Sequence, residues 1–444
     1  MENKYDYDVL YLGSGHGTFD GAIPLAARGF KVAIVESGLI GGTCPNRGCN
    51  AKITLDAPVP LQRQAEDLQG IVTAPIALNW SETVKHKHDV IKGLPDFITG
   101  LLKNNEVTIL HGHGKFLDQH TIDVNGQSTT AAKIVIATGL RPHHMDIPGS
   151  ELAHDSSEFM DLKELPAKIA IIGAGYISLE FATIANAFGS EVTILMHGQK
   201  ALRKFHQPFV EHIIADLEKR GVHFVRNADV SRLEKYGTGT TVHYAGNKAV
   251  HVDWVLDATG RIPNVENIGL ENTGVEYDKD GVIVNDHLQT TISNIYASGD
   301  VIKKSQPKLT PTAIFESTYL MHLLAGETSA AINYPAIPSV VFTSPRIARV
   351  GVSVEKAEKS DEYTVVKNNV LDNWYRQVTR ETFGENALVF DKAHHLVGAT
   401  EVSEHAEDVV NSLLPAIELK LKPEQIERII HLFPTIGSAS WELL

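Results

Sequence analysis

The sequence predicts an α/β fold, and three observations predict it. A strand, a glycine turn, a helix and a second strand follow one another near the start of the chain. The same order returns 160 positions later, and the only two cysteines, Cys44 and Cys49, stand close together directly after the first copy.

The first copy begins with the apolar run Val9-Leu10-Tyr11-Leu12, which enters Gly13-Ser14-Gly15-His16-Gly17-Thr18. A helical stretch from Asp20 to Arg28 leads to the strand Val32-Ala33-Ile34-Val35-Glu36. This is the order of a Rossmann-like dinucleotide fold. Gly13 permits the tight turn, Gly15 lets backbone approach a pyrophosphate, and the helix N-terminus offers unpaired N–H groups to the anion. Glu36 is placed to accept from a ribose hydroxyl. Thr18 stands where the third glycine is expected, and this copy alone is also compatible with an ordinary turn.

The second copy answers that ambiguity. Lys168-Ile169-Ala170-Ile171-Ile172 enters Gly173-Ala174-Gly175-Tyr176-Ile177-Ser178, a helical pattern runs through Glu180 and Ala187, and Glu191-Val192-Thr193-Ile194-Leu195 follows as a strand. Two complete units imply two nucleotide sites. One should hold a flavin, because a nicotinamide delivers two electrons as hydride and a thiol pair needs a relay that accepts them.

The thiol pair lies in Gly41-Gly42-Thr43-Cys44-Pro45-Asn46-Arg47-Gly48-Cys49. A structural disulfide here would restrict the unfolded chain little. A metal site would need further ligands, and no His pair or second CxxC follows nearby. The reading preferred is a pair that cycles between dithiol and disulfide, with one sulfur to attack a partner and the other to resolve the mixed disulfide. The histidines number 21, but His111, His113, His143 and His144 lack a carboxylate or thiol at ligand spacing, so no metal site is expected. The 40 basic and 54 acidic residues give a net charge of −14, which disfavours nucleic acid and anionic membrane as partners. The acidic start has no signal-peptide pattern and no apolar run reaches spanning length. A soluble cytoplasmic protein is expected.

These motifs, with Ile136-Ala137-Thr138-Gly139, Ala258-Thr259-Gly260-Arg261-Ile262-Pro263-Asn264, Ile295-Tyr296-Ala297-Ser298-Gly299-Asp300, Leu309-Thr310-Pro311 and Val341-Phe342-Thr343-Ser344-Pro345, stand in one order from Tyr7 to about Ser438. In that order the chain resembles the class I pyridine nucleotide-disulfide oxidoreductases, the family of glutathione reductase, dihydrolipoamide dehydrogenase and mercuric reductase. The resemblance implies a FAD-binding domain from 1–149 and 266–333, an NAD(P)H-binding domain at 150–265, and an α+β dimerisation domain at 334–444 that would make the protein a homodimer. It implies FAD at Gly13, Gly15, Glu36, Thr43, Thr138, Gly139, Asp300 and Thr310. Cys49 would face the flavin as a thiolate and Cys44 would attack the substrate. Lys52 would pair with Glu180, although Asn50-Ala51-Lys52 departs from the family, which usually writes a proline there. NAD(P)H would lie on Gly173, Gly175, Gly260 and Arg261, with Tyr176 as the ring that covers the flavin until the nicotinamide displaces it.

The end of the second unit's strand bears on the coenzyme. An NADH enzyme presents an acid there and an NADPH enzyme presents cations. Here the position is Met196, followed by His197 and then Arg203, so NADPH is expected, with NADH not excluded. The chain's end departs furthest. Relatives close with His-Pro-Thr and a Glu three residues later, and the imidazole protonates the leaving thiolate. Here Phe433-Pro434-Thr435-Ile436-Gly437-Ser438 has neither the His nor the Glu, and His431 is two residues out of place. General acid–base catalysis is worth roughly 10² to 10⁴ in rate, so the acceptor either needs no proton or receives it elsewhere. Mercuric reductase compensates with a second cysteine pair that this chain lacks. The arginines with which glutathione reductases grip their substrate fall at Ile23 and Thr318, and the lipoyl enzyme uses the missing dyad. The expected acceptor is therefore a small-molecule disulfide or another oxidised, thiol-reactive compound. The alternatives are a diaphorase or oxidase reducing quinone, metal ion or oxygen, and a low-turnover FAD redox sensor.

Overall fold

The computed structural model describes residues 4–444. Contacts divide the chain into two units, the first made of Met1–Thr54, Lys85–His143 and Arg261–Tyr334, the second of Leu55–Val84, His144–Gly260 and Pro335–Leu444.

In the first unit, β1 (Tyr7–Leu12) leads to α1 (Phe19–Ala26) and β2 (Val32–Glu36), then α2 (Thr43–Arg47) and α3 (Cys49–Asp56). Val9 to Leu12 and Val32 to Val35 are all nearly or fully buried, the continuous apolar pattern of strands covered on both faces. β1 lies between β2 and the strand Gln127–Ile136, both parallel to it, with Thr108–His111 beyond β2 and Ile295–Ala297 alongside Gln127–Ile136. The sheet's C-terminal edge thus gathers the glycine turn, Glu36, Thr138 and Asp300. α1 stops at Ala26, two residues short of the expected Arg28, and the chain turns through Gly29 at φ +89°.

The second unit carries two main sheets. The parallel one runs His223–Val225, Glu191–Leu195, Lys168–Ile172, Trp254–Asp257, with the helix Tyr176–Ala187 between its first two strands in chain order. The other is a five-stranded antiparallel sheet of Ser339–Val341, Arg346–Gly351, Leu396–Ser403, Glu385–Asp391 and Tyr363–Asn369, packed on the helix Ala406–Glu418. Among the described residues no helix is long and apolar enough to cross a membrane.

One glycine explains how α1 seats. Thr18 occupies the expected third-glycine position and is fully buried, while the close approach falls at Gly21, where a Cβ would lie within 2.2 Å of the Ser317 carbonyl oxygen of the helix Thr310–Leu324. Because the obstacle is backbone, Gly21→Ala is expected to cost about 1–3 kcal/mol of stability, read by urea unfolding of the FAD-loaded protein. An unchanged midpoint would show that α1 shifts freely.

Candidate functional site

The cysteines and the first glycine turn are brought together by contacts that leave no room for side chains. Gly13, at φ +103°, would place a Cβ 2.4 Å from the Ala137 carbonyl oxygen. Gly42, at φ +69°, would place one 2.8 Å from the Gly15 Cα. Ser14 joins the parts: its hydroxyl donates to Glu36 Oε2 at 2.7 Å and accepts the Gly41 N–H at 3.1 Å. Gly38 N–H donates to Glu36 Oε1 at 2.7 Å, which leaves that oxygen able to accept again.

This cradle fits a dinucleotide. A Cβ on Gly15 would meet nothing nearer than 3.9 Å, so the space beside it is open to a ligand. Among the described residues, four buried polar atoms of this unit, Tyr11 Oη, Asp300 Oδ1, Thr18 Oγ1 and Thr312 Oγ1, have no partner. Burial holds the Asp300 carboxyl above its ordinary range despite Lys304, Lys308 and Arg261. Its turn is fixed by the buried Lys304–Glu316 pair at 2.7 Å, with Glu316 Oε2 also accepting the Gly299 N–H at 2.8 Å. An anchored, unsatisfied acceptor suits a polyol hydroxyl such as the ribityl chain of FAD. Thr138 and Gly139 are locked to Asn264: the Thr138 hydroxyl donates to its carbonyl at 2.6 Å, and its N–H donates to Gly139 O at 3.0 Å. Arg261 Nη2 donates to Leu140 O at 2.8 Å.

Cys49 is the first residue of α3 and is exposed; Cys44, the second residue of α2, is half-buried. Thr43 begins α2. The Cys49 thiol is pulled down to about 6, first by the hydrogen bond from the Cys44 thiol, then by the Thr310 hydroxyl and the Lys52 charge, against the opposing effect of burial. The same bond, together with burial and the Cys49 charge, pushes Cys44 up. The reduced pair is thus one thiol and one thiolate. Thr310 Oγ1 sits 3.6 Å from Cys49 Sγ, so a residue expected only at the flavin also touches the sulfur.

The second unit repeats the cradle. Gly173, at φ +116°, would set a Cβ 2.4 Å from the Ala258 carbonyl oxygen, whereas Gly175 faces nothing within 4 Å. Gly260 has φ +155°. Tyr176 begins the helix Tyr176–Ala187 and is 52% exposed. Glu180 is buried on that helix, with Oε1 accepting the Phe342 N–H at 2.9 Å. Met196 is buried. His197 Nδ1 lies 2.8 Å from Asp229 Oδ1, a carboxylate that sequence reading missed because the fold, not the sequence interval, delivers it. The two turns are laced together by Ala228 N–H donating to Met196 O at 2.7 Å. Arg203 is exposed.

At the chain's end, the His431 ring packs on Trp441 at 4.5 Å and its buried Nε2 has no partner among the described residues. Phe433 is 63% exposed and meets the Trp374 ring at 5.8 Å. Among the described residues no group of three or more His, Cys, Asp or Glu side chains gathers as a metal site.

The chain is similar to known proteins over nearly its whole length. The family description "pyridine nucleotide-disulphide oxidoreductase" matches residues 7–317, and the dimerisation domain of the same family matches 337–444. The chain is 33% identical to a dihydrolipoyl dehydrogenase of Geobacillus stearothermophilus over 98% of this chain and 95% of that one. It is 32% identical to a mercuric reductase of Staphylococcus aureus over 95% and 79%. The solved HOCl-induced flavoprotein disulfide reductase RclA from Escherichia coli superposes with a TM-score of 0.89 at 26% identity, covering 99% of this chain and 100% of that one. A Cu(II) complex of that protein superposes equally, at 0.89.

The thiol–thiolate asymmetry predicts a pH dependence. Because the Cys49 pKa is depressed, the thiolate is present above about pH 6 and is lost as pH falls through that value. Any long-wavelength absorbance between it and bound flavin should fade over the same interval. Cys44→Ala removes the largest stabilising bond and should move that fading to higher pH; an unmoved midpoint would mean that Cys44 does not hold the thiolate.

Proposed function

Because the chain belongs to the pyridine nucleotide-disulphide oxidoreductases, we propose that it is an NADPH-dependent enzyme that passes two electrons through the Cys44–Cys49 pair to a disulfide or another thiol-reactive oxidant. The observation that carries this reading is the placement of the cysteine pair: Cys49 Sγ lies 3.6 Å from the Thr310 hydroxyl, in the same unit as the open glycine cradle, and its thiol is held below its ordinary range. FAD, when bound, supplies the relay that takes electrons as hydride from the nicotinamide and delivers them to a disulfide. Gly13, Gly15, Glu36, Thr138, Gly139, Asp300 and Thr310 would hold it. Lys52, on α3 with Cys49, would balance the thiolate charge, while Glu180 is fixed by the Phe342 N–H within the second unit.

Segments 1–149 and 266–333 would form the flavin domain, 150–265 the nicotinamide domain, and 334–444 the surface that pairs two copies as a homodimer. Such a dithiol belongs in a reducing cytoplasm. NADPH is preferred because Met196 replaces the expected acid and His197 and Arg203 offer cations to a 2′-phosphate. Asp229 opposes that preference, since it already occupies His197. Asp229→Asn should therefore lower KM for NADPH several-fold and leave KM for NADH little changed. Equal effects on both coenzymes would remove the 2′-phosphate from this corner.

A second reading is supported by the Cu(II) complex of the structurally similar reductase and by Phe433, which brings no proton donor. Each dithiol oxidation would reduce two Cu(II) ions to Cu(I), and no leaving thiolate would need protonation. Anaerobic titration with NADPH tests the common core: long-wavelength absorbance should appear as Cys49 is reduced, and bleaching without it would leave the cysteines outside the relay. Cys44→Ser then separates the two readings from flavin-only chemistry: reduction of disulfides or Cu(II) should vanish, and its survival would transfer the reaction to the flavin alone.

A further inference from the structure

The first glycine turn holds a titratable pair to which no role has been given. His16 Nδ1 and Asp20 Oδ2 lie 2.8 Å apart, with side chains 21% and 23% exposed. The imidazole also packs against the Phe19 ring, centroid to centroid 4.6 Å. Asp20 lies in the first turn of α1, so the helix fixes the carboxylate and the carboxylate fixes the ring. Among the described residues His16 Nε2 has no partner. A carboxylate on Nδ1 selects the tautomer in which Nε2 exchanges protons and stabilises the imidazolium that results.

This pair belongs to the same unit as the sulfurs. Gly15 precedes His16, and Gly42 comes two residues before Cys44. These two glycines meet backbone to backbone, since a Cβ on Gly42 would be 2.8 Å from the Gly15 Cα. At about 3.8 Å per residue, His16 and Cys44 are one and two steps from a shared contact inside one unit.

Thiol–disulfide exchange needs a proton carrier at this place. Cys44 is the protonated member of the reduced pair, so it must lose a proton to attack, and the thiolate it displaces must gain one. At the end of the chain Phe433, which has no titratable group, stands where relatives carry the imidazole, and the His431 ring is turned onto Trp441.

We propose that His16, oriented by Asp20, is the catalytic base and acid for thiol–disulfide exchange at Cys44, a role that rests on the disulfide reading above. His16 takes the Cys44 proton, and the Cys44 thiolate attacks a substrate disulfide RSSR. The new bond is Cys44 S–SR, and the released RS⁻ leaves as RSH with the proton from His16. The Cys49 thiolate then attacks Cys44 Sγ, closing the Cys44–Cys49 disulfide and releasing the second RS⁻, which is protonated through His16 by a proton from solvent. The pair loses two electrons, RSSR gains them, and one solvent proton is consumed. The charged groups around the turn are Asp20 from α1, Cys44 and Cys49 from α2 and α3, Glu36 from β2, and Asp300 from the segment whose Gly299 approaches Gly17; Glu36 is occupied by Ser14 and Gly38.

The test is the pH profile of iodoacetamide alkylation of Cys44, read by peptide mass, in FAD-loaded, NADPH-reduced wild type, His16→Gln and Asp20→Asn. Both variants should move the Cys44 midpoint to higher pH and slow alkylation at pH 7 by about tenfold or more. Turnover with a disulfide should fall by roughly 10² or more in His16→Gln, with the acidic limb of its pH profile lost. Unchanged midpoints in both variants overturn the proposal. A wild type that reduces no disulfide refutes the disulfide reading instead, and the alkylation midpoints still decide whether His16 serves Cys44. If His16→Gln does not retain FAD, Asp20→Asn alone decides: a wild-type midpoint there overturns the pair.

Discussion

The structure of the first unit depends on backbone touching backbone where side chains are absent. Gly13 against the Ala137 carbonyl sets the turn on the end of the parallel sheet, and Gly42 against Gly15 sets the cysteine loop on the turn. A methyl group at either contact would push apart two elements whose positions are otherwise fixed by buried strands. Ser14 then converts the contact into a hydrogen-bonded junction by bridging Glu36 and Gly41. The cofactor cradle and the redox pair are therefore one construction, and the second unit, with Gly173 on Ala258, repeats only its cradle half.

Charge is distributed unequally across that construction. Cys49 is stabilised as an anion by Cys44, Thr310 and Lys52, while Cys44 is kept protonated by the same bond. The thiol that must attack is thus the one less ready to do so, which places the demand for a proton carrier at Cys44. Family relatives answer that demand from the end of the chain. Here that end presents Phe433, Leu432 and Ile430, exposed and apolar, and the glycine turn carries the imidazole.

Much of the fold was legible because its signals are local. The strands Val32–Glu36, Lys168–Ile172 and Glu191–Leu195 fall where continuous apolar runs put them, bounded by glycines that the turns require. The cysteine pair was legible for the same reason, as two rare residues in one short loop. What was not legible comes from tertiary placement. Nothing near Cys49 in sequence announces Thr310, and nothing near His197 announces Asp229. The displacement of the packing glycine from position 18 to Gly21 follows from where Ser317 lies, and the three-stranded antiparallel sheet of Val230–Tyr236, Gly239–Tyr244 and Lys248–Val252 has its own turn geometry. His16 and Asp20, four residues apart, could have been paired on a helical step; the turn before α1 hid the spacing.

The thiol–thiolate pair also fixes how the redox balance answers to acidity. Above about pH 6, where Cys49 is already ionised, and while Cys44 keeps its proton, reducing the disulfide takes up two electrons and one proton. The midpoint potential of such a couple falls by about 30 mV per pH unit, half the slope of one that binds two protons. Across the neutral range the pair's own potential therefore varies half as steeply with pH as that of a substrate disulfide that binds two protons, and the driving force toward such an acceptor falls by about 30 mV per pH unit.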